Sequence, residues 1–211
     1  MNSSEPEIKI SPHFWLRRLH SLTGVFPVGA FLLEHMFSNA YIIGGPKAYN
    51  EQIAFLTGLP YLIWLEVFFI WVPILYHALY GFYVMFTGKN NLASYPYVGN
   101  ALYSLQRWTG MITFGYILYH FYETRLMSLL YGTEVSYARM QQLMSDPKRF
   151  WFYVIGLAAV VFHFGNGLWG FLISWGITIG PKAQRISGIV CTGVGLMLFA
   201  VGVDALVHLI R

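Results

Sequence analysis

A continuous apolar segment at residues 61–86 constrains the fold more than any other feature of the chain. It reads YLIWLEVFFIWVPILYHALYGFYVMF, and its only ionisable side chains are Glu66 and His77. At about 1.5 Å per residue, a helix of this length crosses a hydrocarbon layer of about 30 Å. Lipid offers backbone groups no hydrogen-bond partners, so a segment that crosses it must be helical. The segment therefore predicts a transmembrane helix.

Four further apolar segments follow the same pattern. Only 10% of the residues are charged and 56% are hydrophobic, whereas soluble domains carry about 25% charged residues. The sequence therefore predicts an all-α integral membrane protein without a soluble catalytic domain. Its five transmembrane helices would form one domain over residues 1–211, at about 21–43, 61–87, 102–130, 150–179 and 186–210. Short surface helices are expected at 46–58 and within 131–149. The last segment is rich in small residues that suit close helix packing, Gly188, Gly193, Gly195 and Gly202.

The charge distribution indicates a membrane surface as the partner of the loops, and not nucleic acid. The net charge of +4 is spread over loops and helix ends, which suits anionic lipid. No cleavable signal sequence is evident, so we expect the first helix to be retained. Lys9, Arg17 and Arg18 precede the first apolar segment, whereas Lys47 alone follows it, which favours a cytoplasmic N-terminus.

Each of four apolar segments carries one histidine within it. Polar side chains are costly at that depth and usually face the interior of a helix bundle. The single cysteine, Cys191, excludes a four-thiolate iron–sulfur cluster and the two-cysteine attachment of c-type haem. Two non-covalently held haems, each with two axial imidazoles, would explain the pattern, although helix spacing leaves the pairing open. The four candidate ligands are His35, His77, His120 and His163.

Glycines and prolines near these histidines suit such a site. On an unbroken helix at 100° per residue, Gly24 lies on the His35 face, Gly81 on the His77 face and Gly167 on the His163 face. We expect these glycines to leave room for a porphyrin face, although helix packing explains them equally well. Pro27 and Pro73 should kink the first and second helices.

Haem propionates are anionic and need cations or hydroxyls near the membrane surface. Residues at the start of the first segment are candidates to bind them, although the preference for basic residues on the cytoplasmic side explains the two arginines as well. The candidates are Arg17, Arg18, His20 and Ser21.

Several spaced motifs together resemble one protein family. They are RRLHSLTGVFPVG at 17–29, PILYHALYG at 73–81, QRWTG at 106–110, HFGNGLW at 163–169, SWGIT at 174–178 and QRIS at 184–187. The chain from Arg17 onward is similar to the di-haem cytochrome b subunit of succinate:quinone oxidoreductases, the branch with a single anchor polypeptide and two haems.

The resemblance implies a function and a set of partners. The chain would anchor a flavoprotein subunit with FAD and an iron–sulfur subunit to the bacterial cytoplasmic (inner) membrane. Electrons from succinate would pass through the clusters and two b haems to menaquinone; fumarate reduction would use the same carriers. The resemblance also implies that His77 and His163 bind the haem near the cytoplasmic face, and that His35 and His120 bind the outer haem.

Quinone reduction consumes protons, so we expect an ionisable group near the outer haem. Glu66 lies three turns from His77 on the same helix face, towards the outer side, and is the first candidate. It could equally hydrogen-bond a neighbouring helix or a propionate. Glu51 is the second candidate, and Asp204 with His208 the third.

Two other functions compete with this interpretation. A cytochrome b anchor of a formate dehydrogenase or hydrogenase would share the haems but bind other partners. A transporter or proton channel could use the histidines as proton relays without haem, but it would not explain one deep histidine on each of four helices.

Overall fold

The computed structural model describes residues 11–211, so Lys9 lies outside the described residues. Helices connected by short turns account for most of this range. The α-helices are α1 (Pro12–Val25), α2 (Val28–Ala40), α3 (Gly45–Thr57), α4 (Leu62–Glu66), α5 (Val72–Thr87), α6 (Val98–Phe121), α7 (Met127–Tyr131), α8 (Tyr137–Met144), α9 (Pro147–Ser174) and α10 (Pro181–Leu209).

The first apolar segment forms two helices. Ser11 caps α1, accepting a hydrogen bond from the backbone N–H of His13, so the helix begins nine residues before the predicted start. α1 ends at Val25 and α2 begins at Val28, so the chain breaks into two helices at Pro27, where the sequence predicted only a kink. A 3-10 turn at Tyr41–Gly44 connects α2 to α3.

The second and third segments each contain a π-helical turn. Val67–Trp71 connects α4 to α5, and there the N–H of Val72 bonds to the carbonyl of Val67, five residues back. Pro73 follows directly and has no N–H to donate, which favours departure from α geometry at this point. Tyr122–Leu126 connects α6 to α7 in the same way.

The last turn lies earlier than predicted. We expected the fourth helix to reach residue 179 and the fifth to begin at 186, but α9 ends at Ser174 and α10 begins at Pro181. Gly176, with a φ of 70°, follows the C-cap of α9 and ends that helix, and Gly180, with a φ of 83°, is the N-cap of α10. Pro181 then occupies the first helical position, where its missing N–H costs nothing.

Short helices cover one end of the bundle. α3 and α8 form where the sequence predicted surface helices at 46–58 and within 131–149. They pack over the ends of α9 and α10, and their apolar side chains form a buried cluster there. Its members are Ile42, Tyr49, Met140, Leu143, Met144, Tyr153, Ala205 and Leu209.

α9 occupies the centre of the bundle and packs against α10, α6 and α1. A Cβ on Gly195 of α10 would lie 3.2 Å from the carbonyl oxygen of Val161, and one on Gly202 would lie 2.6 Å from Cδ2 of Leu157. These two glycines therefore allow the close packing that the small residues of the last segment predicted. Gly193 has nothing within 4 Å of its Cβ position and takes no part in it.

Among the described residues, three helical segments are long and apolar enough to cross a membrane: Leu62–Thr87, Pro147–Ser174 and Pro181–Leu209. The structure thus has an all-helical architecture with apolar helices that could cross a membrane. Five crossings stay a prediction.

Candidate functional site

A large cavity runs through the bundle between α1, α2, α5, α6 and α9. Its volume is about 2040 Å³, at least twice the roughly 300–1,000 Å³ that is typical of pockets for small ligands. Apolar side chains dominate the lining. All four predicted ligand histidines line it, as expected for polar groups that face a bundle interior.

His77 of α5 and His163 of α9 face each other across this cavity. Their ring centroids are 6.2 Å apart and the rings are perpendicular. Nδ1 of His77 lies 2.9 Å from the carbonyl oxygen of His20, and Nδ1 of His163 lies 3.0 Å from that of Gln106. A carbonyl oxygen only accepts hydrogen bonds, so a proton on Nδ1 satisfies this contact in both rings. The side-chain amide nitrogen of Gln106 also lies 3.2 Å from Nδ1 of His163, and it donates to the carbonyl oxygen of His163 at 3.0 Å. The Nε2 atom of each ring is left with a free lone pair, as metal ligation requires.

His35 of α2 and His120 of α6 form a second pair. Their ring centroids are 5.6 Å apart at an interplanar angle of 71°. Nδ1 of His120 lies 3.3 Å from the hydroxyl of Tyr153, and the side-chain amide nitrogen of Asn39 lies 3.3 Å from Nε2 of His35. The structure therefore brings the four histidines together in the two pairs that the family resemblance implied. Ligation by them stays a prediction.

The spacing of both pairs fits one metal ion between two imidazoles. A metal–imidazole bond is about 2 Å long and the ring centroid lies about 1 Å beyond the nitrogen, so two opposite ligands have centroids about 6 Å apart. Within residues 11–211, no group of three or more His, Cys, Asp or Glu side chains is placed to hold a metal ion. A haem needs only two protein ligands because the porphyrin supplies the other four. The residues present therefore fit haem.

Glycines make room for the imidazoles themselves. A Cβ on Gly24 would lie 2.5 Å from Cε1 of His77, and one on Gly110 would lie 2.9 Å from Cε1 of His163. The expectation that Gly24 shares the face of His35 was wrong, because α1 ends before Pro27 and helical spacing does not continue into α2.

The two other predicted glycines also meet neighbouring side chains. A Cβ on Gly81 would lie 3.3 Å from His20, and one on Gly167 would lie 3.1 Å from the amide nitrogen of Gln106.

Three of the four residues predicted to bind propionates line the cavity. They are Arg17, His20 and Ser21. His20 stacks on His77 with centroids 4.1 Å apart, and its Nδ1 is buried without a hydrogen-bond partner among the described residues. Arg18 instead donates to the carbonyl oxygen of Ser174, which stabilises the C-terminal end of α9.

The carboxylates predicted to serve quinone chemistry lie in different surroundings. Glu66 lines the cavity and forms an ion pair with Arg125, with Nε 2.8 Å from Oε1 and Nη2 2.9 Å from Oε2. This contact with a neighbouring helical segment is the alternative that the sequence left open for Glu66. Glu51 is exposed and lies 3.9 Å from Lys47, one turn away on α3. Asp204 is exposed on α10, 3.3 Å from His208.

Sequence reasoning missed a second carboxylate in the bundle. Glu123 is only 7% exposed. It accepts hydrogen bonds from Tyr119 at 2.7 Å and from Tyr153 at 3.3 Å, and it lies 2.8 Å from Nε of Arg149. The criterion that selected Glu66, an ionisable side chain within an apolar segment, would have found Glu123 too.

Comparisons with known proteins identify the family of this chain. The family model described as "Succinate dehydrogenase/Fumarate reductase transmembrane subunit" matches residues 88–202, a little over half of the chain. The succinate dehydrogenase cytochrome b558 subunit of Bacillus subtilis (strain 168) is 44% identical over 193 residues, which cover 92% of this chain and 95% of that protein. Neither finding supports a formate dehydrogenase or hydrogenase anchor or a transporter. The chain belongs to the family of succinate dehydrogenase/fumarate reductase transmembrane subunits.

Proposed function

We propose that this chain is the cytochrome b anchor of a succinate:quinone oxidoreductase, that it binds two b haems, and that it passes electrons to menaquinone. The observation that carries the proposal is the arrangement of the histidines. Two pairs in one cavity of about 2040 Å³ have ring centroids 6.2 Å and 5.6 Å apart. The relative in Bacillus subtilis, named as a cytochrome b558 subunit, supports haem b as the cofactor.

The residues of this chain would hold the two groups as follows. His77 and His163 would ligate one haem through Nε2, oriented by the backbone carbonyls that accept their Nδ1 protons. His35 and His120 would ligate the other. A haem held by two imidazoles would supply one-electron transfer without an open site for oxygen. Arg17, His20 and Ser21 would bind the propionates of the first haem. Arg18 would act there only indirectly, because its guanidinium group bonds to the end of α9.

The partners follow from the family. A flavoprotein subunit with FAD oxidises succinate, and an iron–sulfur subunit carries the electrons to the membrane. We place that subunit against the end of the bundle that carries the start of α1, residues 88–97 and residues 175–180. With a cytoplasmic N-terminus, this end faces the cytoplasm and lies next to the His77/His163 pair. The anchor would sit in the bacterial inner membrane.

Menaquinone would be reduced at the opposite end, near the His35/His120 pair. Glu66 is our first candidate to supply protons there, because it lines the same cavity and is held in place by Arg125. Glu51 is the second candidate. Its position on the exposed face of α3 suits proton uptake from water more than contact with quinone.

A haem count on the purified complex tests the proposal. We expect two b haems per chain, measured from the pyridine haemochrome spectrum, and a reduced-minus-oxidised spectrum that develops on addition of succinate. A preparation with all three subunits and one haem or none per chain would refute it.

A further inference from the structure

A hydrogen-bonded chain connects one of the four histidines to a buried anion. Nδ1 of His120 lies 3.3 Å from the hydroxyl of Tyr153, and that hydroxyl donates to Oε2 of Glu123, also at 3.3 Å. Tyr153 and Glu123 are 3% and 7% exposed. Arg149 and Tyr119 both bind the other carboxylate oxygen, Oε1, and so fix the position of Glu123.

The direction of these hydrogen bonds follows from the chemistry of the groups. An ionised carboxylate can only accept, so the single proton of the Tyr153 hydroxyl points to Glu123. The hydroxyl then offers a lone pair to Nδ1 of His120. If Nε2 of His120 binds iron, Nδ1 is protonated and can only donate. The chain therefore runs in one direction, from His120 through Tyr153 to Glu123.

The other histidines lack such a chain. His77 and His163 donate to neutral backbone carbonyls, as described above. For His35, the neighbouring polar group is the amide of Asn39, which also donates to the carbonyl oxygen of His35 at 2.8 Å. His120 is thus distinguished by an acceptor that a negative charge polarises.

We propose that Tyr153, held in place by Glu123, is a positioning residue that fixes the ring of His120 and increases its electron donation to iron. This inference rests on the proposed haem ligation. Hydrogen bonding from the outer nitrogen of a ligand imidazole to an acceptor raises the basicity of the ligating nitrogen. A more basic ligand stabilises ferric iron over ferrous iron, so Tyr153 and Glu123 lower the midpoint potential of the haem between His35 and His120.

The test is a redox titration of the purified three-subunit complex carrying Tyr153→Phe. This variant removes the acceptor and changes no charge. We expect both haems to be retained, the midpoint potential of one to rise, and its ferric electron paramagnetic resonance signal to shift. The other haem should keep its wild-type potential.

Tyr116→Phe is the matched control. Tyr116 stacks on the same imidazole with centroids 5.8 Å apart and packs against Tyr153, but its hydroxyl makes no hydrogen bond to His120. Removal of the Tyr116 hydroxyl should leave the midpoint potentials of both haems unchanged. A shift in this control as large as in Tyr153→Phe would overturn the inference, because packing alone would then explain the effect.

Glu123→Gln distinguishes an effect that is transmitted through Tyr153 from the direct electrostatic effect of the Glu123 charge on the haem potential. It should raise the potential of the same haem, and the rise should be smaller in a Tyr153→Phe background, because coupled residues are not additive. An unchanged rise in that background would show that Glu123 acts by charge alone and would refute the role of Tyr153. If Tyr153→Phe fails to assemble, an unshifted potential in Glu123→Gln refutes the inference by itself.

The haem count distinguishes a failure of the proposed function from a failure of the inference about Tyr153. A wild-type complex without two b haems contradicts the proposed function. A complex with two haems and unshifted potentials in Tyr153→Phe contradicts only the inference about Tyr153.

Discussion

Replacing Gly24 by Ala should displace the ring of His77 and weaken the binding of one haem. The added Cβ would lie 2.5 Å from Cε1 and 3.0 Å from Nδ1 of that ring. Carbon atoms in contact are normally about 3.5–4.0 Å apart, so the imidazole must move by about 1 Å. The backbone of α1 around Gly24 cannot move away easily, because His20, on the same helix, already stacks on the ring of His77.

These contacts set the free-energy cost of the substitution. Overpacking of this kind costs about 1–3 kcal/mol. Moving the ring also loses the hydrogen bond between His77 and the carbonyl oxygen of His20, worth about 1 kcal/mol. The total of about 2–4 kcal/mol corresponds to roughly 30- to 700-fold weaker binding, at about 1.4 kcal/mol per tenfold change.

The assay is the haem content of the purified complex, followed by redox titration of the haem that remains. Gly115→Ala is the matched control, since it lies within α6 and has nothing within 4 Å of its Cβ position. We expect the control to keep two haems and Gly24→Ala to lose the haem assigned to His77 and His163. Full retention of that haem with an unchanged potential would refute the packing argument.

Three further predictions concern ligation, topology and quinone chemistry. His163→Ala and His120→Ala should each remove a different haem, so that redox titration finds complementary midpoint potentials; loss of the same haem from both would mean that the pairing is wrong. In intact cells, a membrane-impermeant thiol reagent should label a cysteine at Gln141, which is exposed, and spare one at Ala93; the reverse would invert the topology. Glu66→Gln should keep both haems and succinate oxidation with an artificial acceptor but slow quinone reduction strongly, and unchanged quinone reductase activity would remove Glu66 from the proton path.

The length and apolar composition of continuous segments made the main helices predictable from the sequence. The segment at 61–86 predicts a helix from its own residues. The short helices at 45–57 and 137–144, whose apolar side chains cover the bundle end, were also predictable locally. The turn at 175–180 was misplaced because SWGIT is apolar and suits a helix by composition. Gly176 ends one helix there and Gly180 precedes the next, both with positive φ, and composition does not indicate backbone conformation.

The histidines of the candidate site were predictable for a simple physical reason. An imidazole deep in an apolar segment is costly, so its presence alone demands an explanation. The pairing was not predictable from helix length, since loop ends shift each helix by several residues: α1 begins nine residues early, and α9 ends five residues early. The roles of the glycines were also not predictable, because Gly24 makes room for the ring of His77, which belongs to another helix, α5.

The surroundings of the two histidine pairs predict an order of midpoint potentials. Arg17 lines the cavity with His20 and Ser21, and His20 stacks on His77, so a cation lies at that end; a nearby cation favours the reduced form of a haem. Near the His35/His120 pair the cations Arg125 and Arg149 are each paired with a carboxylate, Glu66 and Glu123, and His120 is linked through Tyr153 to Glu123. Its haem should therefore have the lower potential, and on partial reduction electrons should occupy the haem of His77 and His163. Titration of His120→Ala checks this order, since the component that disappears should be the one with the lower potential; loss of the higher one would show that the surrounding charges do not set the order.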